Sequence, residues 1–399
     1  MCGIAGIITI KNSKIDSTVV ENVKRSLEHR GPDHSSHQFI KESVCLIHTR
    51  LSIIDLNDRS NQPFQSNDER YTIVFNGEIY NYKELRKELE TKGHKFITNG
   101  DTEVLLQGYI EYEEKILNKL RGQFAFVIYD KITNELFMAR DRIGIKPLYY
   151  SVNDNWILFG SEIKAIELSK LIEFEPDIDS YLAYLRHLCV PADSTGNKNI
   201  KKLEPGQFIR IDKNGKISKK IYWDPFTFSV NHDLNEKNVV EELDRLLNES
   251  VEYRKVSDVE VGLFLSGGLD SSLLGKLMKK NSDSSLKAFN VDFEENFEGY
   301  RGELKEARYA SSEIGINLNE EKINFDNFKE IFDNYAYYQD DLVGDEVGIP
   351  LYFLGKSSRS SGIKVVLVGE GSDELFYGYD HWNRLLKLSK YKKPYSSTN

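Results

Sequence analysis

Met1-Cys2-Gly3-Ile4-Ala5-Gly6-Ile7-Ile8 begins the chain and places a cysteine directly after the initiator methionine. The apolar, β-rich residues that follow predict a strand from Gly3 to Ile10. If Met1 is removed, Cys2 carries a thiol and a free α-amino group, whose pKa near ~8 leaves a useful fraction unprotonated at neutral pH. One residue then supplies both nucleophile and base, as an N-terminal threonine does. The alternative interpretation is a small buried hydrophobic residue.

The composition argues against several classes of protein. The length of 399 residues suggests two domains, and a formal charge of −10 argues against a nucleic-acid-binding protein that neutralises phosphates. The cysteines Cys2, Cys45 and Cys189 form no CxxC pair, so neither a disulfide framework nor a zinc site is expected. No basic region precedes the first apolar run, and no run approaches the roughly 18 apolar residues that span a membrane. We expect a cytoplasmic protein without a membrane partner.

The first half of the chain contains many short strand patterns and few helices. This mixture predicts an α+β layered sandwich over residues 1–225. The Pro-Gly signal in Leu203-Glu204-Pro205-Gly206 predicts a hairpin that closes this domain, and the polar stretch Pro225 to Lys237 predicts a linker. Amphipathic helices are predicted at Ser17–Glu28 and Tyr82–Lys92. Further strands are predicted at Val44–Ile54, Thr72–Phe75, Phe124–Asp130, Leu136–Arg140 and Trp156–Ser161.

Residues 226–399 follow a different pattern, in which strands alternate with helices. The strands are apolar on both faces, which predicts an α/β domain built on a parallel sheet. The predicted strands are Val261–Leu265, Leu286–Phe293 and Lys364–Val368. The predicted helices are Leu269–Lys280, Leu304–Gly315 and one whose apolar face contains Val239, Val240, Leu243, Leu246, Leu247 and Val251.

Ser266-Gly267-Gly268-Leu269-Asp270-Ser271-Ser272 joins the strand at Val261–Leu265 to a helix. Glycines let a ligand approach the backbone closely, and the start of a helix presents unpaired N–H groups and a positive dipole. The segment therefore suits phosphate, although the chain has no Walker A pattern. The alternative interpretation is a simple connection between a strand and a helix.

The first half of the chain resembles the class II glutamine amidotransferases, a subset of the N-terminal nucleophile hydrolases. The resemblance rests on six motifs that occur in order. They are Met1–Gly6, His29–Asp33, Arg50–Asp55, Asn76–Asn81, Gly100–Glu103 and Arg140–Tyr149.

This resemblance implies a role for individual residues. Cys2 is implied to attack glutamine through a thioester, while the Asn76 amide and the Gly77 backbone N–H stabilise the oxyanion. Gly77, which lacks a Cβ, would also let the substrate approach closely. Arg50 is implied to bind the α-carboxylate of glutamine, and Asp101 its α-ammonium. The rest of the implied glutamine site is Glu78 with the backbone of Leu51, Ser52, Ile53 and Ile54.

The second half resembles the PP-loop ATP pyrophosphatases at Ser266–Ser272. Val366–Phe376 further resembles the second nucleotide motif of glutamine-hydrolysing asparagine synthetases, in which a PP-loop domain follows a class II glutaminase domain. The resemblance implies ATP as a substrate, Mg²⁺ held by Asp270 and Asp373, and Glu370 as the catalytic residue that assists proton removal from ammonia. The implied ATP-binding residues are Leu265, Ser266, Gly267, Gly268, Asp270, Ser271, Val291, Val368 and Gly369.

The reaction implied by the family joins the two domains. Ammonia released at Cys2 passes through an internal tunnel and attacks an acyl-AMP of aspartate, which gives asparagine, AMP, pyrophosphate and glutamate. Val368 stands where many members have serine, so a side-chain contact to the nucleotide is lost. Within Val343–Gly348 an acidic residue replaces an arginine of the aspartate-specific branch, so a sugar acid or a peptide carboxylate is an alternative acceptor. Asp345 and Glu346 are also candidates to cap the following helix.

The end of the chain affects the expected activity. Family members continue well past the Gly369–Glu374 motif, whereas Tyr377–Asn399 alone follow it here. Three alternatives are a fragment, a missing segment supplied by a separate polypeptide, and a chain with glutaminase activity only. We expect this chain to hydrolyse glutamine and to adenylate its acceptor poorly. A homodimer is expected by analogy with the family.

Overall fold

A computed structural model describes residues 1–11, 13–229, 235–280, 286–294, 302–345 and 347–389. The chain divides into two compact units, Met1–Glu236 with Phe332–Glu346, and Lys237–Ile331 with Val347–Asn399. The predicted domains, 1–225 and 226–399, stay a prediction; the units differ from them chiefly in the segment after residue 331. The predicted linker includes residues 230–234, which lie outside the described residues. Among the helices described, none is long and apolar enough to cross a membrane.

The first unit is built on two antiparallel sheets. The strand order is β10-β8-β9-β1-β3-β2 in the first sheet and β12-β11-β7-β6-β5-β4 in the second. The strands are β1 Gly3–Thr9, β2 His34–Lys41, β3 Val44–Arg50, β4 Phe64–Gln65, β5 Tyr71–Ile79, β6 Gly122–Asp130, β7 Glu135–Arg140, β8 Tyr149–Val152, β9 Trp156–Gly160, β10 Lys201–Lys202, β11 Gln207–Ile211 and β12 Ile217–Ile221.

Helices cover the outer faces of these sheets. Side chains of both sheets, such as Ile4, Leu46, Val127 and Met138, share one buried cluster, so the sheets pack face to face. The helices of this half are α1 Ser17–Ser26, α2 Tyr82–Thr91, α3 Asp101–Tyr112, α4 Ile163–Glu167 and α5 Ile178–His187, and the 3₁₀ helices are Asp58–Ser60, Glu113–Asn118 and Pro225–Thr227.

The resulting order of layers is helix, sheet, sheet, helix. Val20 of α1 and Ile166 of α4 share a cluster with Ile7 of β1, on the side of the first sheet away from the second. On the second sheet, the ring of Tyr109 in α3 lies 4.9 Å from that of Phe137 in β7. The structure thus confirms the predicted α+β layered sandwich.

The prediction of a closing hairpin at Leu203–Gly206 is wrong. Before this turn, β10 pairs with β8 in the first sheet, and after it β11 pairs with β7 in the second. The turn carries the chain from the first sheet to the second, and Leu203 at its start is buried in the apolar cluster between the two sheets. The next strand connection does form a hairpin: it joins β11 to β12, with Gly215 at φ +79° in its turn.

The second unit confirms the predicted parallel sheet. Its order is β15-β14-β13-β16, and every neighbouring pair is parallel. Apolar clusters lie on both faces of the sheet, one with Leu277 and Ala307 and the other with Phe353. The strands are β13 Val261–Phe264, β14 Lys287–Phe293, β15 Asn317–Ile323 and β16 Val365–Leu367, and the helices of this half of the chain are α6 Glu236–Arg254, α7 Leu269–Lys280, α8 Leu304–Ile314, α9 Phe325–Gln339, α10 Gly348–Ser360, α11 Ser372–Phe376 and α12 Asp380–Ser389.

Candidate functional site

The thiol of Cys2 lies immediately before β1, at the start of the first sheet. The backbone N–H of Leu51 points at Sγ over 3.4 Å, and Sγ lies 3.7 Å from the Leu51 carbonyl oxygen. Burial raises the pKa of the Cys2 thiol, so it is protonated at rest and needs a base in order to attack. Burial also lowers the pKa of the amino group of Met1 to about 5, so this amine is neutral at pH 7.

Asn76 lies on β5 with a side chain that is 1% exposed. Neither its Nδ2 nor its Oδ1 has a hydrogen-bond partner in the part of the chain that the structure describes. A buried amide that is left unpaired costs free energy unless a ligand completes it. The geometry therefore suits a donor that is kept ready for a developing oxyanion.

Two residues outside the predicted site, Gln62 and His48, hold the backbone next to Asn76. The Phe75 N–H donates to Gln62 Oε1 at 2.6 Å, and Gln62 Nε2 donates to the Phe75 carbonyl at 3.3 Å. The His48 ring lies 3.2 Å from the same carbonyl, measured from Nε2. Burial lowers the pKa of His48 to about 3, so the ring stays neutral. Neither residue lies within the six family motifs, so no motif indicated this role.

Gly77 is required by strand packing. A Cβ at this position would lie 2.1 Å from the backbone oxygen of Gln123 on β6, which no side chain tolerates. The close approach of a substrate was the expected reason for the missing Cβ. The structure supplies a different reason, namely the close pairing of β5 with β6 at Gly77 and Phe124.

Two carboxyl groups lie together beside this strand. Burial, with the charge of Asp101, raises the pKa of Glu78 to about 7, and burial raises the pKa of Asp101 to about 6. Asp101 begins α3 and accepts a hydrogen bond from the Ile79 N–H at 2.9 Å. Lys146 and the chain's amino group lie near Glu78, because a positive charge on either group opposes this rise in the pKa. These groups provide anionic charge that suits an ammonium ligand.

Arg50 is buried at the end of β3 and already uses most of its donors. Its two terminal nitrogens donate to four acceptors: the carbonyls of Ile54, Asp55 and Asn57 and the side chain of Asn61. Within this arrangement a bidentate contact to a carboxylate requires an exchange of two of these bonds. Arg50 therefore shapes the loop Leu51–Asp55, and its role in glutamine binding stays a prediction.

The loop after β3 contains the other predicted glutamine residues. Leu51 contacts Cys2 as described above, and the Ser52 N–H donates to Asp33 Oδ2 at 2.8 Å. Ile53 is half-buried, whereas Ile54 is buried and accepts a bond from Arg50. The hydrogen bond from Ser52 to Asp33 thus joins two of the motifs, His29–Asp33 and Arg50–Asp55.

The predicted phosphate-binding turn lies at the carboxyl end of β13 in the second unit. The Ser266 hydroxyl lies 3.0 Å from that of Ser271, and the Gly268 N–H donates to Ser266 Oγ at 3.2 Å. Gly267 has φ +83°, and its Cβ would lie 2.3 Å from the Glu306 carbonyl carbon. A glycine is required at position 267 because α8 passes directly against the turn. Leu265, just before the turn, is buried, and its carbonyl accepts a hydrogen bond from Asn290 Nδ2 at 2.9 Å.

Residues at the carboxyl end of β16 meet this turn. A Cβ on Gly369 would lie 3.0 Å from the Ser271 N atom, so β16 ends against the first turn of α7. Val368 and Glu370 are exposed. Val291 packs against the apolar cluster that contains Phe353. The carboxyl ends of parallel strands are the usual place for a ligand in such sheets.

Asp270 and Asp373 provide the carboxylates expected of a magnesium site. Burial and the charge of Asp373 raise the pKa of Asp270, so the two groups lie close enough to interact. Carboxylate oxygens are the ligands that Mg²⁺ prefers, and a cation would relieve this repulsion. The donor set therefore fits Mg²⁺. No group of three or more metal-binding side chains occurs among the described residues. Substrate phosphates commonly complete a magnesium site.

Comparison with known proteins identifies the family of each half. A glutamine amidotransferase domain model matches residues 1–223, and an asparagine synthase model matches residues 242–397. A Bacillus subtilis glutamine-hydrolysing asparagine synthetase is 37% identical over 98% of this chain and 61% of its own length. A provisionally named Methanocaldococcus jannaschii asparagine synthetase is 34% identical over 95% of this chain and 76% of its own length.

A third relative has a different name. The "Amidase chry2" of Gibberella zeae is 33% identical over 95% of this chain and 60% of its own length. The chain thus spans about three fifths of the Bacillus and Gibberella proteins that it matches.

Proposed function

Because this chain belongs to the family of glutamine-hydrolysing asparagine synthetases, we propose that it releases ammonia from glutamine at Cys2 and transfers it to a carboxylate activated by ATP. The observation that carries the proposal is the buried, unpaired amide of Asn76 in the unit that also contains Cys2.

The first half-reaction replaces the amide nitrogen of glutamine by sulfur. Once Met1 is removed, the thiol of Cys2 gives its proton to the free α-amino group of the same residue, and Sγ attacks the carboxamide carbon. The Asn76 amide and the Gly77 N–H stabilise the oxyanion that forms. The C–N bond then breaks, ammonia leaves with the proton, and water hydrolyses the thioester to glutamate. Asp101 and Glu78 bind the α-ammonium, and Arg50 with the backbone of Leu51–Ile54 binds the α-carboxylate.

The second half-reaction forms a new C–N bond. A carboxylate oxygen of the acceptor attacks the α-phosphorus of ATP, and pyrophosphate leaves. Ser266, Gly267, Gly268 and Ser271 bind the phosphates at the start of α7. Asp270 and Asp373 would hold Mg²⁺, and the ion would offset the phosphate charge. Ammonia attacks the acyl carbon, Glu370 accepts a proton, and AMP leaves.

Aspartate is the proposed acceptor, which makes asparagine the product. A second candidate is another carboxylate, because a relative that is 33% identical bears the name of an amidase. The segment that precedes α10 favours neither acceptor. Val347 is the N-cap residue of α10, and its side chain makes no hydrogen bond to the helix. Capping of α10 by Asp345 stays a prediction. Glu346 lies outside the described residues.

The test measures glutamate release and AMP release separately, with aspartate and with a panel of other carboxylates. We expect Cys2→Ala to abolish glutamate release from glutamine and to leave any AMP release with free ammonium chloride unchanged. Cys45→Ala, at a buried cysteine away from the site, is the matched control. Glutamate release that persists in Cys2→Ala would disprove the proposal. AMP release with a carboxylate other than aspartate would identify the second candidate.

A further inference from the structure

Glu162 precedes α4 but does not cap it. Although it is the N-cap residue, its side chain accepts no capping hydrogen bond from the backbone N–H groups of its own helix. Its carboxylate instead accepts a bond from Arg30 at 2.8 Å and lies 3.0 Å from the His29 ring nitrogen Nε2. Burial alone would raise the pKa of Glu162, but the contact with His29 and the charge of Arg30 lower it to about 2. Glu162 is therefore a buried, ionised anchor.

Arg30 links this anchor to the nucleophile. While its terminal nitrogen is held by Glu162, its Nε donates to the backbone carbonyl of Cys2 at 3.0 Å. The Arg30 side chain is only 8% exposed and that of Glu162 only 6%. Since a buried, charge-assisted hydrogen bond has a defined geometry, the position of Cys2 depends on that of Glu162.

The missing cap of α4 comes from a distant part of the chain. Asp340 Oδ2 accepts the Ile163 N–H at 2.5 Å, and its Oδ1 accepts the Lys164 N–H at 3.0 Å. These are N–H groups of the first turn of α4, which have no partner within the helix. Asp340 lies 176 residues beyond Lys164 and has φ +63°, a conformation that Asp and Asn tolerate best after glycine.

Further contacts hold Asp340 and its neighbours against α4. The Lys164 ammonium lies 2.5 Å from Glu162 Oε2 and 3.4 Å from Asp340 Oδ1, so it joins the two carboxylates. It also donates to the Tyr337 carbonyl at 2.7 Å and lies 4.4 Å from the centre of the Tyr337 ring. Because the helix start, the lysine and both carboxylates form one network, loss of Asp340 would release Glu162 as well.

We propose that Asp340 is a positioning residue for glutamine hydrolysis, because it caps α4 and thereby holds Glu162 and Arg30 in the arrangement that orients Cys2. The inference rests on the proposed function of Cys2. Asp340 touches neither substrate nor the reacting sulfur. Its loss therefore affects the orientation of the nucleophile, while the groups proposed to bind glutamine, Arg50, Glu78 and Asp101, keep their contacts.

The neighbouring carboxylate provides a matched control. Asp341 pairs with Lys202 at 2.6 Å and accepts a bond from the Tyr149 hydroxyl at 3.0 Å. Its side chain is 10% exposed, close to the 8% of Asp340. None of its contacts leads to Glu162 or Arg30 in the described residues. Asp341→Asn therefore removes an equally buried ion pair of the same segment without loosening Cys2.

The experiment compares Asp340→Asn with Asp341→Asn in the full chain. For each variant, kcat and KM for glutamine hydrolysis are measured, together with the rate of Cys2 alkylation by iodoacetamide, followed on the N-terminal peptide by mass spectrometry. We expect Asp340→Asn to lower kcat on the order of 10- to 100-fold, to leave KM within about twofold, and to change the alkylation rate. Asp341→Asn should leave all three within about twofold, whatever its loss of thermal stability.

Equal effects of the two substitutions, or an unchanged kcat in a folded Asp340→Asn, would overturn the proposal. If Asp340→Asn does not fold, Asp340→Glu is compared with Asp341→Glu instead. Glutamate keeps the negative charge, but its longer side chain displaces the carboxylate that caps α4. If the unsubstituted chain releases no glutamate, the proposed function fails. The alkylation rates still report the orientation of Cys2 in that case, so the two failures are distinguishable.

Discussion

The amide of Asn76 is buried and lacks a partner in the described part of the chain, which is unusual for a polar group in a folded protein. An unpaired buried amide lowers the stability of the fold. Gln62 and His48 contact the backbone of Phe75 and so fix the position of the neighbouring Asn76. The amide is therefore the feature of the site that responds most directly to substitution.

Asn76→Ala should lower kcat for glutamine hydrolysis by about 10²- to 10³-fold, as expected when one oxyanion donor is lost. The free energy of unfolding should change by less than about 1 kcal/mol, because the amide makes no hydrogen bond that would be lost. Steady-state kinetics and urea denaturation measure the two quantities.

Asn197→Ala is the control for this substitution. Asn197 is as buried as Asn76, but its side chain bonds to Glu167 and to the Asn199 N–H. It should therefore lose stability, by about 1–3 kcal/mol, without a comparable loss of kcat. A normal kcat in Asn76→Ala would contradict the assigned role.

Glu78 and Asp101 predict how activity depends on pH. Their pKa values of about 7 and about 6 are raised by burial, so both carboxyls gain charge only as the pH rises through this window. If the charged forms bind the α-ammonium of glutamine, kcat/KM falls as the pH drops from about 7 towards about 6 and below. We expect Glu78→Gln to move this acid limb to lower pH, since the group with the higher pKa is removed.

Glu88→Gln serves as the control in the same pH series. Glu88 is partly exposed on α2, and hydrogen bonds from Lys119 and Tyr112 lower its pKa. The acid limb should therefore not move in this variant. If the limb is unaltered in Glu78→Gln as well, the two carboxyls do not control glutamine binding.

Among the elements, the pairing of β5 with β6 depends on Gly77. Gly77→Ala should cost at least about 3 kcal/mol, because its Cβ would overlap the Gln123 backbone oxygen. Gly93→Ala is matched to it: Gly93 has φ +95° after α2, but no atom lies within 4 Å of its added Cβ. That substitution should cost about 1–2 kcal/mol, from backbone strain alone. Equal midpoints of chemical unfolding would show that β5 and β6 adjust to the extra methyl group.

The sequence predicted elements well where one periodicity dominates. The strand prediction Phe124–Asp130 is within two residues of β6 Gly122–Asp130, and the helix prediction Leu269–Lys280 coincides with α7. Helix α3 was missed because nine of its residues are buried, so its sequence has no polar face to reveal the helical period. Along α6, the predicted apolar face is buried at Val251 but exposed at Val240.

The whole molecule contains its two candidate sites in separate compact units, Cys2 in the first and Asp270 in the second. Asp270→Asn should therefore abolish Mg²⁺-dependent ATP binding and leave basal glutamate release within about twofold. Cys2→Ala should have the opposite pattern, with ATP binding retained. Isothermal titration with a non-hydrolysable ATP analogue and a glutamate assay measure the two activities, with Asp244→Asn on the exposed surface of α6 as the control. Loss of both activities in either variant would contradict independent sites.

The sequence alone determined the family, the layered α+β half, the parallel α/β half and the residue types that carry the chemistry, because motifs and hydrophobic periods are local properties of the chain. Only the tertiary structure decided which of these side chains are desolvated or unpaired. It showed that Arg50 holds a loop, that Gly77 is demanded by β6, and that Asp340 caps a helix 176 residues earlier. Such contacts join residues far apart in sequence, and no local pattern records which partners the fold will bring together.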